Sequence, residues 1–189
     1  GSAGEETRML TGTTPLALEI PLWALNQPLP LNLPADNPLT LEGVALGRKL
    51  FYEKALSDNY SMSCGSCHQQ QFAFTDPRRF SLGTDGSEGR RNSMSVQNML
   101  WDHFFFRDGR AGSLEQQALG PVVNHVELRN TWPVVEERLR RLPDYPQLFA
   151  RVFGSPASKF RSFARFSSAC FTKCCTSPGF APCVTTAVG

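Results

Sequence analysis

Apolar residues recur at helical spacing in several stretches of the chain, and no alternating run is long enough to make a strand. Leu41, Val44, Ala45, Leu50 and Phe51 share one face of a helix that Thr40 caps and that runs to about Lys54, despite Gly43 and Gly47. A second helix is expected to begin near Asn92 or Ser93. Ser113 with Gln116 makes a capping box for a short helix stopping at Gly120-Pro121, and Thr131 caps a further one ended by Pro143. Residues 144–153, closed by Gly154, form the last helical segment. Ahead of all these, the prolines at 15, 21, 28, 30, 34 and 38 recur too often for a helix. They predict an extended strap, laid over the core by Leu16, Leu18, Ile20, Trp23 and Leu25. Loops rich in Gly, Asp and Ser connect the helices, Phe74 to Arg91 above all. The expected fold is therefore mainly α, with long irregular loops and a Pro-rich N-terminal strap. There is no internal repeat.

Composition narrows the class of protein. With 189 residues, 41% of them hydrophobic and 19% charged, the chain suits one compact domain or a domain with tails. No apolar run approaches the roughly 20 residues of a membrane span, and a net charge of +2 gives no nucleic-acid footprint. The first residues, Gly1 to Thr14, are small and polar, with neither a basic n-region nor an apolar h-region. They read as a mature or trimmed start, or in Gly1-Ser2 as a cloning scar. Charge then divides the chain. Residues 155–189 hold no acid and four bases, Lys159, Arg161, Arg165 and Lys173. The same segment holds Cys170, Cys174, Cys175 and Cys183, whose pairing the sequence does not assign. Three segments are thus expected: an extended N-terminal part over 1–39, a helical domain over 40–154, and an atypical Cys/Ser/Phe-rich tail over 155–189. The abrupt change in composition suits a divergent tail and a truncated or frame-shifted reading of a longer chain equally.

The other two cysteines stand together. Cys64-Gly-Ser-Cys67-His68 is the C-x-x-C-H pattern of covalent haem c attachment: two thiols one helical turn apart reach the vinyl groups, and the next residue offers an imidazole to the iron. C-x-x-C alone also occurs in disulfides, redox pairs and zinc sites. Zinc wants two further ligands at similar spacing, and neither a second C-x-x-C nor an H-x-x-x-H is present; a thioredoxin-like pair wants a strand before it and a helix after. Haem c is attached outside the cytoplasm in bacteria, so the motif also predicts a periplasmic or otherwise extracytoplasmic protein. Candidates for the opposite face of the iron are few: His103, His125, Met9, Met62, Met94 and Met99. A carrier would use one of them, whereas a catalyst keeps that face open.

Around this motif the chain resembles the N-terminal haem domain of bacterial di-haem cytochrome c peroxidases and their MauG relatives. The matching stretches are Leu46-Gly-Arg-Lys-Leu-Phe51 with Leu56-Ser57, the haem motif, Gly89-Arg-Arg-Asn-Ser93, Asp108-Gly-Arg-Ala111 and Gly120-Pro-Val122, over residues 40 to 154. The resemblance implies a cytochrome c-like domain carrying one covalent haem c, with Cys64, Cys67 and His68 as its attachment and proximal ligand. It implies Glu127 as the distal acid–base carboxylate, Gln117 as the accompanying glutamine, and Asn92 as a ligand to a calcium ion between two haem domains. It also implies hydrogen peroxide as substrate, or a MauG-like protein oxidation, with electrons from a small cytochrome c or cupredoxin. Read without it, Glu127 is a solvated loop carboxylate, Asn92 a helix cap and Gln117 a residue facing water.

Three departures from the family shape the expectation. Thr84 follows Gly83 where the peroxidases place a histidine on the resting iron, which predicts an open, five-coordinate haem needing no reductive activation. Arg107 replaces the tryptophan that precedes Asp-Gly-Arg and lies between the haems. A second C-x-x-C-H is missing. A mono-haem electron-transfer module and an incomplete, non-catalytic fragment are therefore the alternatives to a peroxidase.

Overall fold

The computed structural model describes residues 13–17, 37–97 and 99–153. The predicted tail, most of the strap including Trp23 and Leu25, and the four distal cysteines lie outside them. What is described of the strap, residues 13–17, runs beside the start of the first helix. Leu16 N–H donates to the Leu39 carbonyl at 3.0 Å and Leu41 N–H to the Thr14 carbonyl at 2.9 Å. The Thr14 backbone N–H and hydroxyl both donate to the Glu42 carboxylate, at 2.8 and 3.0 Å.

The first helix, α1, spans Leu41–Phe51 and starts as its sequence dictates: Thr40 is extended and its hydroxyl accepts the Gly43 N–H at 3.1 Å. The helix buries Leu46, Leu50 and Phe51 completely. It gives way, three residues earlier than predicted, to a 3-10 turn over Lys54–Leu56 that Glu53 caps through Ala55 N–H. The haem motif forms a single helical turn, α2, Cys64–Cys67. Then follow α3, Leu114–Val123; α4, Trp132–Arg141; and α5, Tyr145–Phe153. Helix α5 packs on α1 and on α4, placing Tyr145, Phe149 and Val152 against Leu46, Leu50, Val135 and Leu139 in one core. The mainly helical expectation holds. Among the described residues the only β pairing is four isolated bridges.

Two details of the sequence reading change. The helix expected near Asn92 or Ser93 does not form: residues 92–96 have no regular secondary structure, and a 3-10 turn follows at Met99–Trp101. Both candidate caps are engaged elsewhere. The Asn92 amide donates to the Asp76 and Arg78 carbonyls, and the Ser93 hydroxyl pairs with Ser81 at 2.7 Å. Helix α3 also runs past Gly120-Pro121 to Val123. Proline removes one intrahelical bond but does not break a helix within a turn of its end.

Arg138 ties α4 to the segment that leads into the haem motif. Its guanidinium donates to the backbone carbonyls of Ala55, Ser57 and Asp58 and lies over the Tyr60 ring at 4.0 Å. Arg138→Met keeps the stem but strips three carbonyls of a charged donor. It is expected to lower the unfolding free energy by about 2–3 kcal/mol, measured by urea denaturation. A loss under about 0.5 kcal/mol would mean water replaces the guanidinium without cost.

Candidate functional site

The motif turn is set on a rigid platform. Ser63 N–H donates to the Ser66 hydroxyl at 3.0 Å, holding the start of α2, and Cys64 packs against the main core. The Tyr52 ring lies so close to Gly65 that a Cβ there would stand 2.6 Å from two ring carbons. Any larger residue at position 65 would push Tyr52 away. Cys64 and Cys67 are both partly buried thiols, not joined to each other. No group of three or more candidate metal-binding side chains occurs among the described residues.

His68 is oriented by its backbone neighbours. Nδ1 faces two carbonyl oxygens, Met94 at 2.9 Å and Phe74 at 3.2 Å. Carbonyls only accept, so Nδ1 carries the proton and Nε2 keeps its lone pair for a metal. Burial lowers the pKa of His68, against the opposing pull of those two carbonyls, and favours the neutral imidazole. Ala73 and Phe74, both left-handed at φ 54° and 58°, make the sharp turn that aims the Phe74 carbonyl at the ring. Two thiols not joined to each other, beside an imidazole oriented through Nδ1, are the donor set that covalent haem c requires, and these residues fit it.

Phe106, Arg110, Ala111, Gln116, Gly120, Pro121, Val123, Asn124 and Glu127 line an open pocket of about 410 Å³. Glu127 is partly buried in it. Its Oε1 accepts the Asn124 side-chain N–H at 2.6 Å. Burial raises its pKa above the ordinary carboxylate value, against the opposing effects of Asn124 and the Arg110 charge. Arg110 lies over the Phe106 ring at 3.5 Å and pairs with Asp108 at 2.8 Å.

Residues 82–84 link the motif to this pocket. The Leu82 carbonyl stands 3.9 Å from Cys67 Sγ. Gly83 presses on the Val126 carbonyl, where a Cβ would come within 2.6 Å, and Thr84 N–H donates to the Glu127 carbonyl at 3.0 Å. Burial, with the charges of Asp76 and Glu127 adding to it, pushes the Cys67 thiol up to about 11. Asn59 holds the Thr84 carbonyl at 3.1 Å, and Arg129 pairs with Asp85 at 2.6 Å and Asp58 at 3.5 Å. The loop carrying Thr84 is thus fastened to the loop carrying Glu127.

The remaining expected residues fall as follows. Gln117 is not in the pocket wall; Gln116 is, with its carbonyl accepting the Gly112 N–H at 3.0 Å. Gln117 precedes the wall residues Gly120 and Pro121 by three and four positions, on the same helix face. Its Oε1 is buried with no hydrogen-bond partner among the described residues, an acceptor with capacity to spare. The Asn92 carbonyl oxygen accepts the Thr75 hydroxyl at 2.8 Å, so its amide is occupied at both ends. His125 is exposed, and Met99 is buried in the core. The sequence reading missed Asn124, Gln116 and Phe106. Asn124 carries a local signal, an Asn-x-x-Glu at a helix end; the other two become neighbours only through the fold.

The model of the di-haem cytochrome c peroxidase family matches residues 41–178, further along the chain than the five motif stretches reach. The methylamine utilization protein MauG of Methylorubrum extorquens is 39% identical over 122 residues, which is 65% of this chain and 35% of that protein. The cytochrome c551 peroxidase of Pseudomonas aeruginosa is 35% identical over 159 residues, covering 79% of this chain and 46% of its own. The crystal structure of a MauG-like protein associated with microbial copper homeostasis superposes with a TM-score of 0.73 at 30% identity, over 85% of this chain and 47% of that one. The chain therefore spans less than half the length of these relatives. A family match across most of the sequence, a shared fold, and thiols and an imidazole disposed for haem c together show that the chain belongs to the di-haem cytochrome c peroxidase family.

Proposed function

We propose that this chain is the haem-bearing, peroxide-reacting part of a di-haem peroxidase or MauG-type oxidoreductase. The observation that carries the reading is a partly buried Glu127 carboxylate, one oxygen held by Asn124, in a pocket that residues 82–84 join to the haem motif. Haem c, when bound through Cys64 and Cys67, supplies the iron that takes up hydrogen peroxide and passes electrons to it. His68 would hold that iron through Nε2, and the carbonyls of Phe74 and Met94 keep the ring from turning. Glu127, ionised, takes the proton from one peroxide oxygen and returns it to the other, so that the O–O bond breaks with water as leaving group. The raised pKa of Glu127 brings proton uptake and release closer to equal cost near neutral pH. Gln117, the expected distal glutamine, stands on α3 within a turn of the wall residues Gly120 and Pro121, with its carbonyl oxygen buried and unpartnered among the described residues. The pinned Thr84 loop offers no imidazole to the pocket, in keeping with an open distal face.

Two electrons per peroxide must come from a donor, for which a small cytochrome c or cupredoxin suits the chemistry, and an extracytoplasmic location follows from the attachment motif. No described helix is long and apolar enough to cross a membrane. The test is rapid mixing of the haem-loaded ferric protein with hydrogen peroxide. A fast, peroxide-dependent change in the haem spectrum is expected. A six-coordinate, low-spin spectrum that ignores both peroxide and cyanide would instead establish an electron carrier. Calcium at Asn92 is the finer part of this proposal. Because the Asn92 oxygen already accepts from Thr75, chelation with EDTA is expected to shift the melting temperature by no more than about 2 °C, and a larger drop would show a calcium site that does more than this side chain alone.

A further inference from the structure

We propose that Asn124 is the positioning residue for Glu127, its amide leaving Oε2 as the carboxylate oxygen that exchanges a proton in the pocket. The inference rests on Glu127 being the acid–base group proposed above, and it is drawn from the bonding around Asn124. That residue ends α3: its N–H donates to the Gly120 carbonyl at 3.1 Å, and its own carbonyl accepts the N–H of Glu127 and of Arg129, each at 3.0 Å. Asn124 therefore fixes the backbone on both sides of Glu127.

The side chain does the rest. Oδ1 accepts the Val126 N–H at 3.2 Å, which settles the orientation of the amide, because the reversed group would set N–H against N–H. The NH₂ end is thereby forced toward Glu127 and donates to Oε1 at 2.6 Å. Oε2 has no hydrogen-bond partner among the described residues. An amide locked as a donor favours the ionised carboxylate, opposing the burial that favours the acid. The other charged or titratable groups acting on Glu127 are Arg110, from the loop after Phe106, and the Cys67 thiol of α2. Arg129 is turned to Asp85 and Asp58 instead, and His125 is exposed. Asn124 is the only one of these neighbours that bonds to the carboxylate directly.

The experiment is an infrared pH titration of the Glu127 carboxyl in the haem-loaded full chain, the band being assigned by its loss in Glu127→Gln. Two variants are compared with the parent. Asn124→Leu removes the donor at similar volume. Asn124→Asp keeps the acceptor for Val126 N–H but sets a second carboxylate against Glu127. The midpoint is expected to rise by about one pH unit in the first and further in the second, and the acidic limb of the peroxide-rate profile moves with it. A midpoint within about 0.3 unit of the parent in the Asp variant, with an unchanged thermal melt, overturns the inference; if the Leu variant does not fold, the Asp variant carries the test alone. Because the titration involves no peroxide, its failure is separate from that of the proposed function, which an unchanged peroxide rate in Glu127→Gln would refute.

Discussion

Glu127→Gln in the haem-loaded protein is expected to slow its reaction with hydrogen peroxide by about a hundred- to ten-thousand-fold. The substitution is nearly isosteric, and the new side-chain oxygen can still accept the Asn124 N–H that now meets Oε1 at 2.6 Å. Packing of the pocket and the fastening of Thr84 to the Glu127 backbone are both preserved. What disappears is the capacity to take up a proton from one peroxide oxygen and release it to the other. The pH dependence has a definite sign. The carboxylate is the working form, and its pKa lies above the ordinary value because of burial, so the parent rate falls as pH drops through that raised pKa. The variant has no such limb. Stopped-flow absorbance across pH 5 to 8 reads both the fold-change and the shape, and a variant reacting as fast as the parent would remove Glu127 from the mechanism.

The second large effect concerns attachment. Cys64→Ser with Cys67→Ser is expected to abolish acid-stable haem incorporation, read as haem lost to acid–acetone extraction after expression with a cytochrome c maturation system. Serine keeps the volume of each side chain but cannot form the thioether. The two sulfurs differ in surroundings: Cys64 packs on the core, whereas Cys67 faces the Leu82 carbonyl. Each single variant should keep one thioether, and so retain haem with a shifted pyridine haemochrome band. Haem retained at parental level in the double variant would show that neither sulfur is bonded to it.

Much of the scaffold is legible in the sequence because it depends on local signals. Thr40 and Ser113 cap helices through their own side chains, and Pro143 follows the end of α4. The expected helix near Asn92 fails for a reason no local pattern displays: Asn92 and Ser93 spend their hydrogen bonds on Asp76, Arg78 and Ser81, more than ten residues away. The site divides in the same way. Cys64, Cys67 and His68 are contiguous, so spacing reveals them. The carbonyls that orient His68, those of Phe74 and Met94, carry no side-chain signature, and a backbone group can be found only from the fold. Gly83 shows the same limit, since its need to be glycine comes from the Val126 carbonyl pressed against it. Gln116 and Gln117 are adjacent and chemically identical. Only their placement on α3 separates the one that lines the pocket from the one with a buried, unpartnered oxygen.

The intact mass of the purified chain, taken with its ferric visible spectrum, bears most directly on the whole account. A mass increased by one haem that survives denaturation, and a high-spin spectrum that converts to low-spin on adding cyanide, is the predicted result. A bare polypeptide mass with no Soret band, and a peptide map in which Cys64 and Cys67 are joined to each other, would contradict it.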